Sequence, residues 1–128
     1  MVLPSSMRLK GNNCFTHLHR SGIRFNGQSM VLIIAEAQPK LMKLQMQKAK
    51  QNSCRFAVTI SRKVSKKAVV RNRLRRLLHD HLRLRLENAQ ECSNQWGLIR
   101  LKPCSLDQSH ELLLKECDRL MLKAGLIQ

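Results

Sequence analysis

Hydrophobic residues recur along the chain with a period that changes from segment to segment, and the changes mark out the elements. Phe56, Val58 and Ile60 alternate with Ala57, Thr59 and Ser61, so Phe56–Lys63 predicts a strand. Ile23–Gly27 and Met30–Ala37 predict two earlier strands. The second is an apolar run (Met30, Val31, Leu32, Ile33, Ile34) suited to a buried sheet, with Pro39 as its stop. Ala68–Leu86 switches to helical spacing. Val70, Leu74, Leu77, Leu78 and His81 fall on one stripe, while Arg71, Asn72, Arg75, Arg76 and His79 occupy the opposite half of the wheel and Arg73 the flank. Trp96–Leu101 predicts a fourth strand, closed by Pro103.

Two more helices complete the pattern. The first is capped by Asn12 or Asn13, turns Cys14, Phe15 and Leu18 inward, and ends at Ser21-Gly22. The last starts from Asp107 as N-cap, carries Leu112, Leu113, Glu116, Leu120 and Lys123, and ends at Gly125. Residues 1–10 read as a basic N-terminal arm, 38–53 as a mobile Lys- and Gln-rich insertion, and Glu87–Gln95 as a polar connection. The order α-β-β-β-α-β-α predicts one α+β domain over 1–128. It is a two-layer sandwich with a four-stranded mixed sheet, strands three and four parallel, and helices mainly on one face.

Composition narrows the function. The 128 residues carry 24 Lys and Arg against 8 Asp and Glu, a formal charge of +16. Residues 55–86 hold eleven of those cations (Arg55, Arg62, Lys63, Lys66, Lys67, Arg71, Arg73, Arg75, Arg76, Arg83, Arg85) against the single acid Asp80. Residues 87–128 are close to neutral. Such asymmetry marks one face for a polyanion, and nucleic acid fits better than a membrane surface, since the basic helix lacks aromatic anchors. Four aromatic residues (Phe15, Phe25, Phe56, Trp96) are too few for an RNA-binding sheet built on stacking. No apolar run approaches the roughly 20 residues of a membrane span, and no signal peptide is evident, which places the chain in the cytoplasm.

The five cysteines form no C-x-x-C pair and none lies at ligand spacing from a histidine. His17/His19 and His79/His81 would diverge by about 200° on a helix. These residues read as free thiols and ordinary histidines, with no metal site.

The informative block is Ser61-Arg62-Lys63-Val64-Ser65-Lys66-Lys67 followed by Ala68-Val69-Val70-Arg71-Asn72-Arg73-Leu74-Arg75-Arg76-Leu77. Massing arginines in the first turns of a helix opposes its macrodipole. The arrangement makes sense when phosphates arrive to meet both the guanidinium groups and the free N–H donors.

This block resembles the protein component of bacterial ribonuclease P, through Arg71-Asn72-Arg73, the basic pair after it and Leu77. The likeness extends to Arg8-Leu9-Lys10, Phe15 and Gly22, to Phe56–Ser61 and to Trp96–Pro103. It covers most of the chain apart from 38–53. The resemblance implies the fold of the second domain of ribosomal protein S5, with a left-handed crossover between strands three and four. It implies a partner, the catalytic RNA, and a substrate, precursor tRNA, whose single-stranded 5′ leader lies between the sheet and the first helix. Cleavage would be endonucleolytic, by water and Mg²⁺ held mainly by the RNA, leaving a 5′-phosphate on the tRNA. The protein would supply no catalytic residue, in keeping with its scattered acids.

Carried over by position, Arg71, Asn72, Arg73, Arg75 and Arg76, with Lys66 and Lys67, are the expected contacts to the catalytic RNA. Phe15, His19, Ile33, Arg55, Arg62 and Lys63 are the expected contacts to the leader. His19 and Ile33 stand where the family pattern has aromatics, and Ser65 where it often has glycine, so stacking should give way to electrostatics. No protein or membrane partner is expected. Three rivals are weaker: a structural ribosomal protein lacks this strand–basic turn–Arg-Asn-Arg order, a DNA-binding module needs a motif that is missing, and a protein-only nuclease needs better placed acids.

Overall fold

The computed structural model describes residues 8–9, 12–37, 54–86 and 95–127. The insertion expected at 38–53, most of the N-terminal arm and the connection 87–94 lie outside them. The elements are helix α1 (Asn12–Ser21), strands β1 (Ile23–Asn26), β2 (Met30–Glu36) and β3 (Arg55–Thr59), helix α2 (Ala68–Leu86), strand β4 (Gln95–Leu101) and helix α3 (His110–Lys123). They follow the order read from the sequence.

The four strands form one sheet in the order β1-β2-β4-β3. β1 and β2 pair antiparallel, as do β2 and β4, whereas β3 runs parallel to β4. The register sorts side chains into two faces. Met30, Leu32, Ile34, Phe56, Val58, Ile99 and Leu101 point to one, where they pack with α2 and α3. Val31, Ile33, Ala35, Ala57, Trp96 and Leu98 point to the other, beneath Cys14 and Leu18 of α1. Two of the three helices therefore share a face, and α1 lies alone on the opposite one.

Two glycines are fixed by close approach. A Cβ on Gly97 would collide with the ring of Phe56, its partner on β3. A Cβ on Gly22 would strike the Leu18 carbonyl and the Ile33 side chain, so this glycine lets α1 turn straight down onto the sheet. Gly125 ends α3 at φ 77°. Its amide and that of Leu126 bond back to Leu122 (3.1 Å) and Met121 (3.0 Å), and Leu126 is buried.

Several local expectations need correction. β3 ends at Thr59, not Lys63. The chain then turns over Ser61–Val64, closed by Val64 N–H to Ser61 O (3.1 Å), because Val64 turns back into the core. Ser109, not Asp107, caps α3: its hydroxyl accepts from Leu112 N–H at 3.2 Å. Asp107 is consumed by a 3-10 turn, Pro103–Asp107, that proline initiates.

On α2 the buried row is Leu74, Leu78, Leu82 and Leu86. Steps of four residues advance about 40° each around a helix, so the row drifts past the predicted stripe. His79 is thereby carried into the interior, at 7 % exposure, although the wheel puts it on the cationic side. His81, predicted for the core, sits at the border of α2 and α3. There its Nε2–H donates to Asp118 Oδ1 (2.7 Å), and Arg85 holds the other carboxylate oxygen (2.8 Å). Leu77 and Val70 are only half-buried.

Candidate nucleic-acid interface

The basic turn and the start of α2 form one cationic run. Arg62, Lys63, Lys66 and Lys67 are exposed, as are Asn72, Arg73 and Arg76. Arg71 is half-buried and folds back so that Nη1 donates to Ser65 O at 2.8 Å. Ser65 Oγ accepts from Lys67 N–H (3.2 Å), and Asn72 Oδ1 accepts from Arg75 Nη1 (2.8 Å). These bonds use one donor of each arginine and hold the side chain in place, leaving further N–H groups for phosphate oxygens. No acid lies in the first turn of α2, so like charges face an N-terminus already positive in character.

The leader residues separate into two groups. Phe15 is half-buried against the α1-side core, and His19 is exposed on the same helix. Ile33 and Arg55, by contrast, are covered by α1, at 0 % and 3 % exposure. Arg55 Nη1 donates to the Arg8 carbonyl at 3.0 Å, and burial lowers its pKa while the Cys14 thiol nearby raises it. The same burial pushes the Cys14 thiol up, against the pull of Arg55. Both side chains shape the floor beneath α1 and leave its surface to Phe15, His19 and the basic turn.

Sequence reasoning missed the rest of this face. Arg24 stands opposite Ile33, and Asn26, Val31, Arg100 and Thr59 line up across the four strands. Arg24, Asn26 and Arg100 are exposed and Thr59 is half-buried, so the sheet beside α1 offers polar and basic side chains to solvent on either side of the buried Val31. Arg100 was visible as a lone cation in an apolar strand; the row itself needed the register. His17 was also passed over. Its Nε2–H donates to Glu36 O (3.0 Å) and its ring meets Trp96 edge-on at 6.1 Å, which pins α1 to the end of β2.

Among the described residues no three His, Cys, Asp or Glu side chains come together as a metal-ligand set. Nor, among them, is any helix long and apolar enough to cross a membrane. A four-stranded mixed sheet with helices on both faces, and a cationic turn leading into the second helix, define an α+β protein with a strongly basic surface.

Comparison with known proteins gives the class a family. The family described as Ribonuclease P matches residues 3–125. A ribonuclease P protein component from Prochlorococcus marinus is 58 % identical over 127 residues, covering 99 % of both chains. One from Synechococcus is 54 % identical over 130 residues, covering 98 % of each. The fold matches that of the Staphylococcus aureus RNase P protein with a TM-score of 0.75 at 13 % identity, over 94 % of this chain and 97 % of that one. The Thermotoga maritima RNase P protein gives 0.67 at 14 % identity, over 88 % and 93 %. The chain belongs to the ribonuclease P protein family, the protein subunits of a tRNA-processing ribonuclease.

Proposed function

We propose that this subunit binds the catalytic RNA of ribonuclease P through the start of α2 and the 5′ leader of precursor tRNA along the α1 side of the sheet. The observation that carries the reading is the cation run from Arg62 to Arg76, exposed or tethered only through single donors. Arg71, Asn72, Arg73, Arg75, Arg76, Lys66 and Lys67 meet phosphates and riboses of the catalytic RNA. Phe15 offers a ring to the leader, flanked by His19, Arg62 and Lys63, with Ile33 and Arg55 supporting the floor. Arg24 and Arg100 extend the track. With arginine, asparagine and threonine in place of aromatics on that sheet face, the leader is held by its backbone more than by its bases.

The RNA holds Mg²⁺ and carries the hydrolysis, which removes the leader and leaves a 5′-phosphate on the mature tRNA. The protein positions substrate and offsets phosphate repulsion, in the cytoplasm where both RNAs reside.

The test begins with the RNA that copurifies with the tagged chain at moderate salt. One dominant large RNA, whose cleavage of precursor tRNA at low Mg²⁺ requires added protein, is the expected result. A spread of ribosomal fragments without cleavage would return the chain to the structural RNA binders. Arg71→Ala with Arg73→Ala should then weaken RNA affinity and reduce the slope of log K against log salt by about one to two. An unchanged slope would remove α2 from the RNA contact.

A further inference from the structure

Helix α1 turns more than one side to solvent, and only one of them borders the leader track. Cys14 and Leu18 are buried against the sheet. At about 100° per residue, Phe15 and His19 lie one step round the helix from them. Thr16 and Arg20 lie one step further, pointing away from the sheet. Asn13 and His17 are on the opposite flank, where His17 is pinned to Glu36 and Trp96. Asn13, Thr16, His17, Arg20 and Ser21 line a cavity of about 370 Å³. That lies within the roughly 300–1,000 Å³ of ordinary ligand sites.

The lining is polar and holds no acid. Asn13, Thr16 and Arg20 are exposed, and none of these side chains has a hydrogen bond or ion pair among the described residues. Arg71 and Arg75, by contrast, each have a donor tied at the start of α2. Arg20 therefore offers its whole guanidinium fork, which fits a phosphate. A hydroxyl and a carboxamide both donate and accept, so Thr16 and Asn13 fit a ribose 2′-hydroxyl or a base edge. Such a set suits a nucleotide of RNA better than a bare anion, which only accepts. The way in is short: Thr16 follows Phe15, and Arg20 follows His19, round the helix. A strand that passes Phe15 and His19 reaches the cavity by crossing over α1.

We propose that this outer side of α1 binds the distal, 5′-ward part of the single-stranded leader of precursor tRNA, with Arg20 on a backbone phosphate and Thr16 and Asn13 on a ribose hydroxyl or base edge. The proposal rests on the reading of Phe15 and His19 as leader contacts. It gives the leader a second foothold once it has left the sheet, so affinity grows with leader length beyond the first one. Arg20 also sits in the last turn of α1, where a cation favours the helix dipole. A purely stabilising role of that kind would not depend on leader length.

The experiment uses the holoenzyme, this chain with ribonuclease P RNA, and precursor tRNAs whose leaders are lengthened nucleotide by nucleotide. Affinity is measured for the wild type, Arg20→Ala, Arg20→Lys and Thr16→Val. The wild type should gain affinity in two stages, first as the leader reaches Phe15 and again as it reaches Arg20. R20A should keep the first stage and lose the second, about two- to fivefold at moderate salt. On long leaders alone, its slope of log K against log salt should fall by about 0.7. R20K keeps the charge and should recover the slope. Deoxyribose in the distal leader should weaken binding by the wild type and make no difference to T16V. Thermal unfolding reports any damage to α1; if R20A is damaged, R20K and T16V decide.

Equal losses by R20A on short and long leaders, or none on either, overturn the distal site and leave the proposed function standing. A loss confined to binding of the RNA subunit overturns it too, and assigns the cavity to that RNA. Wild-type binding that ignores the leader altogether removes the reading of Phe15 and His19, and this site with it.

Discussion

The two faces of the sheet are finished to different standards. Among the described residues, the face under α2 and α3 gathers nineteen buried apolar side chains, and the face under α1 gathers nine. The first is also tied at its borders. Asp118 of α3 accepts from His81 and Arg85 of α2, and Glu116 accepts from the Gln28 and Ser29 amides (3.1 and 2.9 Å) and from Ser29 Oγ (2.7 Å) in the turn between β1 and β2. The second is half covered, with Arg24, Asn26 and Arg100 left to solvent beside a single short helix. One sheet therefore separates two tasks: a sealed side holds the fold together, and an open side presents charge.

Four measurements would break or sharpen that division. Leu78 is fully enclosed on the sealed side, so Leu78→Ala should cost about 2–5 kcal/mol in urea unfolding. A loss comparable to that of a surface substitution would mean that α2 is not an anchor.

Cys117 of α3 lies in the same core, where burial pushes its thiol from 9.0 to about 12. A pKa raised on folding stabilises fully below the unfolded value and is lost as pH climbs. Stability should therefore hold up to about pH 9 and then fall by about 1.4 kcal/mol per pH unit toward pH 12. A Cys117→Ala variant should show a flatter alkaline limb; identical limbs would place the thiol in contact with solvent.

Third in size is Glu116→Ala. It strips three hydrogen bonds from the β1–β2 turn and should cost about 1.5–3 kcal/mol, with faster amide exchange at Gln28 and Ser29. Unchanged exchange would show that the turn holds its shape without α3. The smallest stability effect belongs to the open side. Arg100→Ala should stay within about 0.5 kcal/mol of the wild type while weakening binding of precursor tRNA more than of leaderless tRNA. Equal losses on both substrates would take Arg100 off the leader track.

How far the sequence reached follows the same division. Period-2 and period-3.6 patterns report which side chains avoid water, so all four strands, the three helices and the parallel β3–β4 pair were legible. What escaped depends on partners far along the chain. A helical wheel places His79 and His81 by angle alone, whereas their surroundings are set by Arg8 and by Asp118, on other elements. Ser109 and Asp107 are equally good caps until proline at 103 starts a 3-10 turn that uses up the second. The site was legible where charge is clustered in sequence, from Arg62 to Arg76. It was illegible where charge is assembled across strands, since nothing along the chain puts Arg24 in the row beside the one that Asn26 and Arg100 share.

The short pairing of the N-terminal arm has a consequence for the fate of the chain in crowded solution. β3 ends the sheet, and its outer side meets Arg8 and Leu9 through a parallel bridge to Phe56. An uncovered edge of Arg55, Phe56, Ala57 and Val58 would be an apolar template for the strands of other molecules. By occupying it at Phe56, Arg8 and Leu9 withhold that stretch from such pairing. A chain trimmed past Leu9 would lose one residue of the α1-side core along with this cover, keep its basic helix, and meet its neighbours edge to edge.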